Sequence, residues 1–148
     1  AQFMLAECYY LLSPPFTLDQ RYTKSAIAEY QAFIEFFPVH EKVTEAERKI
    51  LELNEKLAKK EFEAARIYER MDYSIGAIFY YDSVIDTYHD TRYAPMAMYR
   101  KIKLLESRNR FKDAVTEIDK FLSRYSDDSR VSELETLRAN LQSRLSSL

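Results

Sequence analysis

The stretch "AIAEYQAFIEFFP", Ala26–Pro38, is written again as "AIFYYDSVIDTYH", Ala77–His89, and more faintly as "AVTEIDKFLSRYS", Ala114–Ser126. Aligned, the phrases put Ala26, Ala77 and Ala114 in one column. Tyr30, Tyr81 and Ile118 stand at offset 4, and Phe33, Val84 and Phe121 at offset 7. Ile34, Ile85 and Leu122 fall at offset 8, and Phe37, Tyr88 and Tyr125 at offset 11. These offsets trace one face of a helix with a period of 3.6 residues. Each phrase then stops on breakers: Pro38, "HDT" after Tyr88, and "SDDS" after Tyr125.

A second helical segment lies upstream of each phrase. Tyr68 precedes Ala77 by nine residues, and Leu105 precedes Ala114 by nine. In the first unit the equivalent is Tyr9, set apart from Ala26 by an insert around "SPPFTLDQ". Two helices per unit, a small residue between them and an aromatic-plus-breaker close resemble the tetratricopeptide repeat. In that register Ala6 and Ala65 match the small residue of the first helix. Ala26, Ala77 and Ala114 match that of the second, and Pro38 the closing proline. One helix pair cannot bury its apolar face alone, so pairs must stack into a continuous core.

The expected fold is therefore all-α: a tetratricopeptide-repeat superhelix of antiparallel helix pairs, with a long connecting helix and a C-terminal capping helix. Its units fall at 1–38 (a repeat with an inserted loop), 44–89 (the long helix plus a repeat), 93–126 (a repeat) and 129–148 (the cap). Ala77 to Ala114 is 37 residues, near the family period, whereas Ala26 to Ala77 is 51. The surplus predicts one long helix, about Thr44 to Met71, with the stripe Ile50, Leu53, Leu57, Ala64, Tyr68 and Met71. Glu45/Lys49, Glu52/Lys56 and Glu55/Lys59 are spaced i,i+4 with the acid first, which supports a solvated helix face. In the cap, Val131, Leu134, Leu141, Leu145 and Leu148 share one side.

Composition excludes several functions. Twenty-two Lys and Arg against 24 Asp and Glu leave a net charge of −2 with no basic stripe, so a nucleic-acid surface is not expected. No apolar run reaches the roughly 18 residues that a membrane span needs, so no direct membrane insertion is expected. The single glycine forbids a phosphate-cradling loop. His40 and His89 stand at breakers without a second ligand at metal spacing. Cys8 lies on the apolar side of the first helix and reads as a buried, inert thiol. Neither a cofactor nor a catalytic activity is expected.

The aromatic excess, 12 Tyr and 9 Phe, is more informative. Most of these residues fall in packing columns. Phe79 and Tyr80 do not, because their columns hold Ala28 and Glu29 in the first phrase and Thr116 and Glu117 in the third. Columns that carry Glu are expected to face water, which makes Phe79 and Tyr80 candidate anchors for a protein partner. A second candidate surface is the concave groove. Phe3, Phe62 and Tyr99 share one first-helix position, with Arg66 and Lys103 one turn on, a set suited to a peptide with apolar anchors and some acid. A one-residue rotation of the register would instead put Phe62 in the core, so its burial decides the groove.

The stretch "LAKKEFEAARIYERMDYSIGAIFYYDSVIDTYHDT", Leu57–Thr91, resembles the BamD (ComL-like) family of outer-membrane β-barrel assembly lipoproteins. Leu57, Ala58, Glu61, Phe62, Ala65 and Tyr68 match the family's long helix, and Tyr88, His89, Asp90 and Thr91 the close of its fourth repeat. The insert "LSPPFTLDQRY" also has a counterpart there. The resemblance implies a non-catalytic scaffold at the periplasmic face of the outer membrane, made of repeats three to five. Its implied partners are BamA-like POTRA domains and companion lipoproteins. With no initiator methionine at Ala1, the chain is expected to extend further upstream, where the lipid-bearing cysteine would stand. Proteobacterial members carry an arginine near the BamA contact on the helix matching Ala77–Thr87; Phe79, Tyr80 and Tyr81 stand there instead, with no basic residue. Two other classes fit the same residues: a periplasmic repeat adaptor of the cell-division or Tol-associated kind that binds peptides in its groove, and a passive spacer.

Overall fold

The computed structural model describes residues 1–147, and Leu148 of the expected cap stripe lies outside them. Seven helices follow in order: α1 (Gln2–Leu12), α2 (Arg21–Phe36), α3 (Val43–Arg70), α4 (Ser74–Thr87), α5 (Tyr93–Ser107), α6 (Phe111–Arg124) and α7 (Val131–Ser146). No strand occurs among the described residues. Each helix packs mainly on its neighbours in the chain, so the helices stack in consecutive pairs as a tetratricopeptide-like all-α fold.

The repeated phrases are α2, α4 and α6, and their columns form the core. Ala26, Ala77 and Ala114 are fully buried, as are Tyr30, Tyr81 and Ile118; Phe33, Val84 and Phe121 are buried beside them. A larger side chain in the alanine column has nowhere to go. Ala77→Leu is expected to overpack this site and cost about 1–3 kcal/mol. A thermal melt indistinguishable from the parent's would disprove that packing.

The α3–α4 and α5–α6 turns share one geometry. Asp72 and Asn109 sit at φ 58° and 60°, the left-handed region that Asp and Asn tolerate better than other side chains. In the first turn the Asp72 and Tyr73 amides donate to the Glu69 and Tyr68 carbonyls; in the second, the Asn109 and Arg110 amides donate to Glu106 and Leu105. These paired bonds satisfy the helix C-terminal carbonyls and reverse the chain tightly.

Helix α3 runs 28 residues and serves two separate cores. Its first half buries Ala46, Lys49, Leu53 and Leu57 against α1 and α2. Its second half buries Ala58, Phe62 and Ala65 against α4 and α5. The buried stripe thus steps around the helix at Leu57–Ala58. The sequence stripe assumed a single face; past the step its Ala64 and Tyr68 are only half-buried, Tyr68 packing at the margin of the second core, and Met71 is exposed. The expected i,i+4 pairs also change partners. Glu45 reaches Lys49 at 3.7 Å, but Glu52 accepts from Tyr10 Oη, and Glu55 accepts from the Arg92 amide. Lys56 donates to Ser13 Oγ at 2.7 Å, and Lys59 lies over the Phe16 ring. Neighbours from other elements compete with the i+4 lysines for these groups.

Cys8 corrects a second expectation, for it is exposed. Helix α1 buries only Ala6 and part-buries Phe3, Tyr9 and Tyr10 against α2 and α3. Met4, Cys8 and Leu11 lie on another ridge of that helix, which none of the described helices covers.

Candidate protein-interaction site

Phe79 stands on α4 two residues after the buried Ala77 and is 66% exposed. Tyr80 departs from its expectation, because it is half-buried and stacks on Tyr68 of α3, centroids 5.4 Å apart and planes 13° apart. Phe79 meets the Tyr80 ring edge-on at 5.3 Å. The reason is visible in the sister phrase. Glu117, in the column of Tyr80, is only 7% exposed and is held by Lys101 at 3.0 Å. A charged residue in that column therefore did not mark a wet face. Tyr80 supports the site, and Phe79 presents it.

Other apolar side chains gather around the tip of the α3–α4 hairpin. Ile67 on α3, Met71 and Tyr73 in the turn and Ile75 on α4 are all exposed, Ile75 to 77%. Gly76 lets the aromatic wall close, since a Cβ there would stand 2.6 Å from the Tyr73 ring and 3.0 Å from that of Tyr68. With Phe79 they make five large apolar side chains exposed on this hairpin's distal half, the kind of surface that marks an interaction site. Sequence reasoning missed Ile67, Met71, Tyr73 and Ile75. Their signal was available, because the second half of α3 carries two apolar stripes where one buried face needs only one.

The concave groove does not assemble as expected. Phe62 is 3% exposed and packs on Tyr81 and Tyr93 at centroid distances of 5.8 and 5.6 Å, so it belongs to the core. The step in α3 at Leu57–Ala58 rotates the register. Phe3 is half-buried far along the chain, edge-on to Tyr30 and Phe33, with Lys42 Nζ 4.9 Å above its ring. Tyr99 and Lys103 do come together, but around Glu133 of α7. Tyr99 Oη donates to that carboxylate at 2.8 Å, and Lys103 lies 3.7 Å from it and 3.5 Å from Glu106. Arg66 is half-buried and makes no ion pair among the described residues.

Two part-buried polar clusters link the helices. Glu7 accepts from Tyr30 Oη and from Lys49 Nζ, tying α1, α2 and α3 together. Burial alone would raise the Glu7 pKa, but the hydrogen bonds from Lys49 and Tyr30 outweigh it and lower it. Tyr81 Oη donates to Glu69 at 2.8 Å, and Arg100 pairs with the same carboxylate at 3.1 Å. Burial and the Glu69 contact push the Tyr81 pKa up, so it stays a neutral donor. No cluster of three or more His, Cys, Asp or Glu suited to a metal occurs among the described residues. Nor is any described helix long and apolar enough to cross a membrane.

The family of outer membrane lipoproteins named YfiO matches residues 1–110. The chain belongs to this family. A relative from Caulobacter vibrioides, named outer membrane protein assembly factor BamD, is 29% identical over 103 residues. That match covers 70% of this chain but only 34% of the relative, so the chain spans about a third of the protein it matches. The YfiO match contains the whole α3–α4 hairpin and its exposed tip.

Proposed function

We propose that this YfiO-family chain is a non-catalytic scaffold of outer-membrane β-barrel protein assembly, docking a POTRA-type domain of a BamA-like partner, and companion lipoproteins, at the periplasmic face of the outer membrane. The lipid anchor is carried by a cysteine other than Cys8, which stands inside α1. Family membership and the assembly-factor relative support the setting. The observation that carries the docking site is Phe79: an aromatic ring left in water on a helix whose other aromatics are packed. A peptide-binding adaptor fits less well, since its central groove anchor, Phe62, is in the core.

The test is titration calorimetry against the POTRA fragment of the BamA homologue from the same organism. Phe79→Ala is expected to leave stability within about 0.5 kcal/mol, as an exposed substitution should. It should weaken binding at least tenfold, about 1.4 kcal/mol, if the ring is an interface anchor. Tyr80→Ala should also destabilise the free chain by about 1 kcal/mol, because it removes the stack on Tyr68. Unchanged affinity of a folded Phe79→Ala variant refutes the site. No binding by the parent chain refutes the assignment.

A further inference from the structure

The cations of α3 separate into two groups. Arg48 lies 3.8 Å from Glu52, Lys49 pairs with Glu7 and Glu45, and Lys56 donates to Ser13 Oγ. Lys59 covers the Phe16 ring, and Lys60 donates to the Leu18 carbonyl at 2.8 Å. Arg66 and Arg70 alone make no ion pair, side-chain hydrogen bond or ring contact among the described residues. The other charges at this end of the fold are matched: Arg100 with Glu69, Arg108 with Asp72 and Arg110 with Asp113. Glu63, one turn before Arg66 and Ile67, pairs with neither arginine, and Glu69, which stands between them, is taken by Tyr81 and Arg100.

Spacing then places two ridges side by side. Arg66 and Arg70 are i,i+4 and stand one turn apart on one face. Ile67 and Met71, each one residue further, form the adjacent ridge, and both are exposed. Across the turn, Tyr73, Ile75 and Phe79 are exposed as well. An arginine ridge beside an apolar ridge is the complement of a helix with acids along one edge of its apolar stripe. An added strand is a poor fit, because a helical surface offers no unpaired backbone for it to bond.

Resting on the docking reading above, we propose that the last two turns of α3 and the α3–α4 tip seat an acidic amphipathic helix of the partner, its apolar stripe on Ile67, Met71 and Phe79 and its carboxylates on Arg66 and Arg70. The charged ridge lies at the solvent-facing edge of this contact, so it confers selection between partners, and salt weakens it.

Two designed helical peptides with the same leucine stripe test this, one edged with Glu and the other with Lys, each titrated by fluorescence anisotropy into the full chain at low and at high salt. The Glu-edged peptide should bind at least tenfold more tightly, and the margin should shrink with salt. Arg66→Glu/Arg70→Glu should reverse the preference, and Arg66→Gln/Arg70→Gln should abolish it without placing a new acid beside Glu69. Equal binding of the two peptides, binding of neither, or a preference unchanged in the folded Gln variant overturns the proposal. Concentration-dependent dimerisation of the free chain that is lost in Met71→Ser overturns it as well, since a second copy would then be the occupant. The POTRA titration separates the two levels. If that fragment fails to bind while the Glu-edged peptide still wins, the partner assignment fails and the chemistry of the face stands.

Discussion

Phe62→Ala is expected to destabilise the protein by about 3–5 kcal/mol, the usual loss for deleting a buried Phe ring. Its ring is wedged between Tyr81 of α4 and Tyr93 of α5 and is 3% exposed. Truncation leaves a cavity where three helices meet, and the fully buried Ala58, Ala65 and Ala77 nearby have no side chain to move into it. For a chain of this length the change amounts to a fall of about 10 °C in melting temperature. Urea unfolding checks the energy directly. The same substitution separates core from groove: a groove-lining Phe62 would lose peptide binding with stability nearly intact. A variant within about 1 kcal/mol of the parent would contradict the burial of this ring.

Lys101→Ala is expected to cost about 2–3 kcal/mol. Lys101 reaches from α5 to Asp82 of α4 at 2.6 Å and Glu117 of α6 at 3.0 Å, joining three helices through one ammonium. Removing it strands the Glu117 carboxylate, whose side chain is 9% exposed, with only the outlying Lys120 at 3.4 Å. Breaking a buried pair typically costs about 3–5 kcal/mol; Asp82 and Lys120 are open to water here, which moderates the loss. Replacing both buried partners, Lys101→Met with Glu117→Leu, should return stability to within about 1 kcal/mol of the parent, because no uncompensated charge remains. Burial disfavours the Lys101 ammonium, but its bonds to Asp82 and Glu117 prevail and raise its pKa. A raised lysine pKa stabilises fully below the unfolded value of about 10.4 and is lost as the pH rises through the folded one. The gap between parent and Lys101→Ala should therefore hold from neutral pH to about pH 10 and narrow above it. A gap already closed at neutral pH would show that the triad adds nothing.

Much of the architecture could be read directly from the chain. The alanine columns and the offsets of 4 and 7 describe local helix geometry, and local geometry depends on neighbours in sequence. That is why the first three columns of the phrases, Ala77, Tyr81 and Val84 among them, are buried in α2, α4 and α6 alike, whereas the later columns fray, with Ile34 and Leu122 half-buried and Phe37 exposed. The exposure of Phe79 was legible for the same reason: its column holds Ala28 and Thr116, and all three positions are exposed. Sequence also determined that the single glycine and the breakers leave helices as the material for a core.

Tertiary structure decided what depends on two helices at once. The face that α3 buries changes at Leu57–Ala58 because its neighbours change there, from α1 and α2 to α4 and α5. Periodicity along one helix carries no record of which side the next helix approaches. That step took Phe62 into the core and left Ile67 and Met71 in water. Likewise Glu117 is buried because Lys101 of another helix meets it, and Tyr80 is half-buried because Tyr68 lies flat against it. A residue's type sets the energy of leaving it unpartnered, but only the fold brings the partner.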